Sequence, residues 1–460
     1  MERIVDSIYN IVWSPALVVL LVGAGLYFTI RTRCVQVRRF GLMARLLAGK
    51  DGSFTDGKPK GLSSFQAFCV ALSGRVGTGN IVGVATAIAM GGPGAVFWMW
   101  MIAFLGASTA FMESTLAQMY KFHHINGWRG GPSCYIERGL GQRWLGVLFA
   151  ICTVIGYGLL LSMVQSNSIA SAFNNSLSVS PLVTALVIAS VLGIIVIGGV
   201  KRIAHVASVV TPFMAVAYVI LSLVIIAANW KAVPGVFAMI FSSAFGADAT
   251  FGGIVGSAIA MGVKRGLFSN EAGEGGGAIV SASADVKHPA QQGLVQAFSV
   301  YIDTILVCTA TALMILCTGK YNVFGPDGKA VISNAPELGQ NYVAFTQTAI
   351  DTVFSGFGSL FVTIALAFFA FTTIMAYYFY AESSIIYMFN GNFRKEKAAT
   401  WIYRILLLGS IIYGACISAG AVWTIGDIGL GLTTWINVIA LLILCPRAVK
   451  ALKDYESKLK

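Results

Sequence analysis

Residues 71–83 read Ala-Leu-Ser-Gly-Arg-Val-Gly-Thr-Gly-Asn-Ile-Val-Gly, and residues 262–277 read Gly-Val-Lys-Arg-Gly-Leu-Phe-Ser-Asn-Glu-Ala-Gly-Glu-Gly-Gly-Gly. Both stretches lie inside runs otherwise apolar enough to span a bilayer. The first holds four glycines with Arg75 and Asn80, the second six glycines and four charges. Each glycine weakens a helix by ~1 kcal/mol relative to alanine. Small residues also let membrane helices pack closely, which accounts for single glycines but not for glycines clustered with Asn, Arg and Glu. Two broken helices are the expectation.

The surroundings of these stretches define the class. Of 460 residues, 57% are hydrophobic and 11% charged, against about 25% charged in a soluble domain. That excludes a disordered tail, a nucleic-acid module and most soluble enzymes. It points to an all-α polytopic membrane protein forming a single transmembrane domain over 1–460. A span needs ~20 apolar residues. Eleven segments qualify, near 11–30, 64–90, 94–120, 144–173, 181–199, 203–228, 251–283, 294–318, 354–381, 401–423 and 426–446. The first is too long for a signal-peptide core and reads as an uncleaved span. With the amino terminus outside, inward loops and the tail carry 24 of the 31 Lys and Arg, outward segments four. That bias predicts a multi-pass membrane protein with its carboxyl terminus in the cytoplasm.

Setting 11–30 aside as an extra helix leaves 64–228 and 251–446, each with five segments and each opening on a glycine-broken one. Five is odd, so the halves run in opposite directions. Interrupted segments at corresponding positions of inverted halves point to a transporter's central site. A helix broken in mid-membrane frees amides and carbonyls that hydrocarbon cannot satisfy. The amides of Thr78 and Gly79, at the start of the resumed half-helix, suit a carboxylate. The carbonyls of Ser73 and Val76, one turn earlier, suit a small hard cation. A dinucleotide loop is excluded at Gly77-Thr78-Gly79, since no strand precedes it and the third glycine is misplaced.

Residues 73–87, followed by Gly-Gly-Pro-Gly-Ala-Val-Phe-Trp-Met-Trp at 91–100, resemble the alanine or glycine:cation symporter family. So does Arg-Gly-Leu-Phe-Ser-Asn-Glu-Ala-Gly at 265–273, and 165–170, 198–204 and 302–304 are similar to it. The resemblance runs from about residue 60 to the end. It implies a five-plus-five inverted-repeat core with one extra helix, a place in the plasma (inner) membrane, and sodium-driven uptake of a small neutral amino acid, alanine or glycine, by alternating access. It also implies a substrate pocket at Thr78, Gly79, Gln165 and Phe268, with Asn80 as a further polar ligand. For the sodium ion it implies the Ser73 and Val76 carbonyls with the Thr372 and Thr373 hydroxyls.

Three departures stand out. Glu274-Gly-Gly-Gly replaces a Gly-Ser-Ala-Pro run, adding a carboxylate, and Ser281-Ala-Ser-Ala replaces a His-containing stretch. Ala376-Tyr377 stands where Gly-Trp is expected, bringing a hydroxyl to the substrate wall. This favours glutamine or another larger neutral amino acid as the alternative substrate.

Other residues carry two readings each. Helical threonines such as Thr372 and Thr373 often bond their own helix, and Gln165 equally suits interhelical bonding. Arg75, Glu113, Lys264, Arg265, Glu271, Glu274 and Asp303 need partners inside the membrane. Ion pairs are expected for Glu113 and Glu271, and a gate or proton role is open for the isolated Asp303. Glu382 and Asp427, near span ends, are expected in water. Six tryptophans, including Trp423, fall near span ends as interface anchors do. The 320–351 loop is placed to cover the outer opening as a lid. Eight scattered cysteines and four histidines form no metal pattern. A channel would need a regular polar stripe, which no span shows. An intramembrane enzyme would need a motif such as His-Glu-x-x-His or Gly-x-Ser-x-Gly, and none is present.

Overall fold

The computed structural model describes residues 2–49, 61–246, 254–325 and 328–459. Lys50, Lys58, Lys60 and Lys460, counted among the inward charges, and residues 251–253 of the seventh segment lie outside the described residues. Helices dominate, with two short antiparallel hairpins, Phe122–His124 with Gly127–Arg129 and Asn322–Phe324 with Ala330–Ser333.

Among the described residues, eight helices are long and apolar enough to cross a membrane. They become nine when Ser64–Arg75 and Gly79–Gly91, bent by 48°, count as one. Two expected segments fall short of that test. Pro181–Ile197 is apolar but only 17 residues long, and the seventh segment is divided into Val255–Asn270 and Gly276–Ala282 by its own glycines and charges.

Local chemistry sets several helix starts. Ser63 and Gln66 form a reciprocal capping box before Ser64–Arg75, satisfying donors that a helix start leaves open. His288 and Gln291 do the same before Pro289–Val300. The first segment starts earlier than expected, because Glu2–Val12 precedes Pro15–Arg31. Proline lacks the N–H that would continue the helix. The turn between the last two long helices falls at 417–418 rather than 424–425, where Ile417 is extended and Ser418 precedes Ala419–Ser457. A 12-residue helix, Val233–Ala244, was not expected.

Burial is arranged inside out. Pro181–Ile197 exposes Leu186, Val187 and Ile194, and Gly199–Ala228 exposes Phe213, Val216 and Ile220. Such an apolar surface suits lipid. Both broken helices, by contrast, are enclosed, with Ser73 through Gly83 and Val263 through Ser281 buried. Three π-helical stretches, Gly79–Gly83, Gly156–Leu161 and Tyr301–Cys308, carry the buried Asn80, Tyr157 and Asp303. Such bulges recur at functional sites.

One contact shows how closely the helices approach. A Cβ on Gly156 would lie 2.9 Å from the Gly429 carbonyl oxygen and 3.2 Å from its Cα. Gly156→Val should therefore destabilise the fold by about 1–3 kcal/mol through overpacking, read as a lower melting temperature of the purified protein in detergent. An unchanged melting temperature would show that this approach is looser.

Candidate functional site

The first break follows Arg75. Val76 leaves helical geometry (φ −78°, ψ 89°), and the chain resumes at Gly79. Side chains from three other helices occupy the gap. Thr373, on Phe357–Phe389, places its hydroxyl 2.7 Å from the Ser73 carbonyl, 2.9 Å from Phe369 O of its own helix and 3.4 Å from the Val76 carbonyl. Gln165, on Ser162–Leu177, accepts from the Thr78 amide at 3.2 Å. Glycine permits this closeness: a Cβ on Gly77 would lie 2.5 Å from Thr373 Oγ1 and 3.1 Å from Gln165 Oε1. Phe268, from the second broken helix, closes on Gly79, where a Cβ would meet its ring at 3.1 Å.

Thus Ser73, Val76, Thr78, Gly79, Gln165, Phe268 and Thr373 come together. Thr372 does not join them by a hydrogen bond: its hydroxyl bonds only Phe369 O, at 2.9 Å, whereas Thr373 reaches that carbonyl and Ser73 as well. Tyr377 is buried one turn beyond Thr373, its ring centroid 5.1 Å from that of Tyr157 and 5.8 Å from that of Tyr380. The Thr78 hydroxyl is buried and has no hydrogen-bond partner.

Asn80 is engaged within the protein. Its Oδ1 accepts from the Gly77 amide at 2.9 Å, and its Nδ2 donates to Asp303 Oδ1 at 2.7 Å. Asp303 is therefore not isolated. Its other oxygen accepts from Ser269 at 2.8 Å and Thr304 at 2.6 Å. One carboxyl group thereby ties the first broken helix, through Asn80, to the second, through Ser269.

The second break holds Glu271 in the left-handed region (φ 54°) with Gly273 at φ 99° and Gly275 at φ 95°. A non-glycine residue there carries roughly 1–2 kcal/mol of strain. Glu271 accepts from Tyr380 at 3.0 Å, and Glu274 from Tyr157 at 2.6 Å. Glu113 accepts from the Gly273 amide at 3.2 Å and Asn437 at 3.1 Å. The ion pairs expected for Glu113 and Glu271 do not form among the described residues; hydroxyl and amide donors take their place.

A cavity of ≈ 630 Å³ lies beside this assembly, lined in part by Val82, Thr86, Asn167, Arg265, Trp423 and Asp427. Gln340 to Val343, within the proposed lid loop, line it too. Arg265 is bonded to Asp427, and its guanidinium lies 4.8 Å from the Trp423 ring centroid and 5.3 Å from that of Phe268. Phe268 and Trp423 are themselves 4.9 Å apart. Arg265, Trp423 and Asp427 thus line the cavity, and Phe268 touches both Trp423 and Gly79. Asp427 is 3% exposed rather than in water. Glu382 is also buried, accepting from Tyr378 at 2.7 Å with Arg404 3.8 Å away. Sequence reasoning missed the Arg265–Asp427 pair; a lone acidic residue in an apolar run was the available signal.

Enclosed broken helices inside an apolar shell define a membrane transporter fold. A solved structure, MhsT in complex with L-phenylalanine, aligns with TM-score 0.57 over 85% of this chain and 100% of that one, at 16% identity. The sodium:alanine symporter family matches residues 1–460, and the chain belongs to it. The sodium/proton-dependent alanine carrier protein of Bacillus sp. (strain PS3) is 49% identical over 87% of this chain and 89% of its own. The "Probable sodium/glutamine symporter GlnT" of Bacillus subtilis (strain 168) is 40% identical over 100% of this chain and 92% of its own. This is a multi-pass membrane transporter.

If Asp303 clamps the two broken helices, Asp303→Asn turns an acceptor into a donor facing donors, a loss of about 1–3 kcal/mol. A double-mutant cycle with Asn80→Ala, followed by thermal unfolding in detergent, should be non-additive. Additive losses would mean that the two residues act separately.

Proposed function

We propose that this protein is a sodium-coupled symporter that carries a small neutral amino acid, alanine or glycine, into the cell by alternating access. The observation that supports it best is Thr373 reaching the Ser73 and Val76 carbonyls across the first break. Unwound carbonyls with a facing hydroxyl suit a sodium ion. In this reading Ser73, Val76 and Thr373 hold the ion, and Thr372 joins them after a rotamer change.

The substrate carboxylate takes the Thr78 and Gly79 amides, displacing Gln165 from Thr78, and the Thr78 hydroxyl is at hand. Gln165 then turns to the substrate, Phe268 and Tyr377 wall the side chain, and Asn80 sets the loop's shape beside it. Eleven spans, inverted halves over 64–228 and 251–446, an outward amino terminus and a cytoplasmic carboxyl terminus complete the proposal. The Arg265–Asp427 pair with Phe268 and Trp423 serves as the barrier on the cavity side.

Sodium that orders the broken helices raises substrate affinity, and substrate raises sodium affinity by the same factor. Sodium-gradient uptake into proteoliposomes with an amino-acid panel tests the whole reading. Alanine or glycine should compete best. Glutamine competing best would establish the second reading, favoured by Tyr377 and by the likeness to GlnT. Substrate binding equal in sodium and choline would sink the coupling.

Two variants assign the residues. Thr373→Ala should weaken sodium activation about tenfold, the loss of roughly 1.4 kcal/mol of ligand energy. Tyr377→Trp should reorder the competing amino acids while leaving sodium activation in place. The reverse pattern in either variant would refute its assignment.

A further inference from the structure

Around the second break, three carboxyl groups share the interior with one cation. Glu113, Glu271 and Glu274 are 0% exposed, and Arg75 is 1% exposed. Each carboxyl accepts its donors through Oε2, and among the described residues Oε1 has no hydrogen-bond partner in any of the three. Arg75 gives Nη1 to Gln296 and Ser299, while its Nε and Nη2 are unpartnered. A Cβ on Gly277 would lie 2.6 Å from Arg75 Nη2 and 3.8 Å from Glu113 Oε1. The glycine therefore keeps open the space into which Arg75 and Glu113 both face.

Three carboxylates and one guanidinium leave two negative charges without compensation. Buried charge of that kind is relieved by taking up positive charge or by neutralising a group. The three carboxyls differ in what they face. Glu113 accepts two N–H donors and stands across the gap from Arg75, surroundings suited to a carboxylate. Glu271 accepts from Tyr380 and is also subject to Arg75. Glu274 has a phenol alone as its donor, at 2.6 Å. It lies between Gly273 and Gly275, both in the left-handed region, so it sits on the hinge of the broken helix with its partner on another helix. The charged and titratable groups that bear on it are Glu271, Glu113, Arg75, Tyr157 and Tyr377.

We propose that Glu274 is a proton-carrying residue, forming with Tyr157 and Glu271 a site for one proton, distinct from the sodium and substrate positions. In one orientation the Glu274 carboxylate takes a proton from water and its charge goes from −1 to 0. In the other it returns the proton to water on the opposite side. The rings of Tyr157, Tyr377 and Tyr380 pack against one another beside it, and among the described residues no group of three or more carboxyl, thiol or imidazole side chains is placed to hold a metal cation. Movement of the hinge makes or breaks the Tyr157 contact and so couples the proton to the conformational change. The transport role rests on the symporter reading above; the protonated state does not.

The test uses the full-length protein and Glu274→Gln. In proteoliposomes holding a pH-sensitive dye, alanine added with sodium should acidify the lumen for the wild type. In Glu274→Gln the acidification should fall to background, while sodium-driven alanine uptake persists and loses its dependence on external pH. Alanine uptake by the wild type without acidification overturns the proton site and leaves the symport reading standing. Loss of a sodium ion per alanine in the variant, measured with radioactive sodium, overturns the assignment to a proton.

Infrared difference spectroscopy in detergent tests the site without transport. A buried carboxylic-acid carbonyl band should be present in the wild type, absent from Glu274→Gln and shifted in Tyr157→Phe, which removes only the hydroxyl. Absence of that band from the wild type at every pH refutes the proposal, even where uptake of every amino acid fails. Should Glu274→Gln not fold, the band and its shift in Tyr157→Phe carry the test.

Discussion

A helix interrupted inside a bilayer exposes amides and carbonyls that have no water to bond, so every freed group must be met from within the protein. Most of what is distinctive here answers that demand. Thr373 meets two carbonyls at the first break, and Gln165 and Asn80 meet two amides. Glu113 and Asn437 meet the amide and carbonyl of Gly273 at the second. All of these partners except Asn80 come from helices far apart in the chain, so the breaks dictate which helices gather at the centre. Lipid-facing helices such as Pro181–Ile197 carry no such obligation and are simply apolar.

The same demand explains why the two broken helices behave as one unit. Asp303 accepts from Asn80 on one side and from Ser269 on the other. A carboxylate in that position is held by charge-assisted bonds, worth about 1.5–3 kcal/mol each, so neither helix shifts without disturbing the other. Phe268 lies against Gly79, and Arg265 beneath Trp423 bonds Asp427. The aromatic and ionic contacts on the cavity side are thus attached to the element that forms the central site. Phe268 and Ser269 are consecutive, so the ring against Gly79 and the hydroxyl on Asp303 belong to one helical turn.

Charge placement gives the site its asymmetry. Toward the cavity, Arg265 and Asp427 are matched one to one. Around the second break, Arg75 stands against three carboxyl groups bonded to phenols and amides. A buried charge facing one opposite charge costs less than a buried charge left without one, whereas an excess of carboxyls calls for a mobile positive charge. The carboxylate of Glu274, between two glycines in the left-handed region, places that excess on the hinge itself.

By itself the sequence determined the class, the two breaks and the residues at them, because glycine, asparagine and charge inside apolar runs are costly enough to need a reason. Gln165, Phe268 and Thr373 were legible only through the resemblance to the symporter family; the structure brings them to Ser73, Val76, Thr78 and Gly79, while Thr372 bonds its own helix. Only the tertiary structure decided the partners. Successive helical residues point about 100° apart, since a turn holds 3.6 of them. Whether Thr372 or Thr373 meets Ser73 therefore depends on how one helix is rotated against another. Arg265 and Asp427 are 162 positions apart, and Tyr157 and Glu274 are 117 apart. Composition shows that such buried charges need partners. Which partner each one takes is settled by the tilt and rotation of packed helices, quantities that no local pattern encodes.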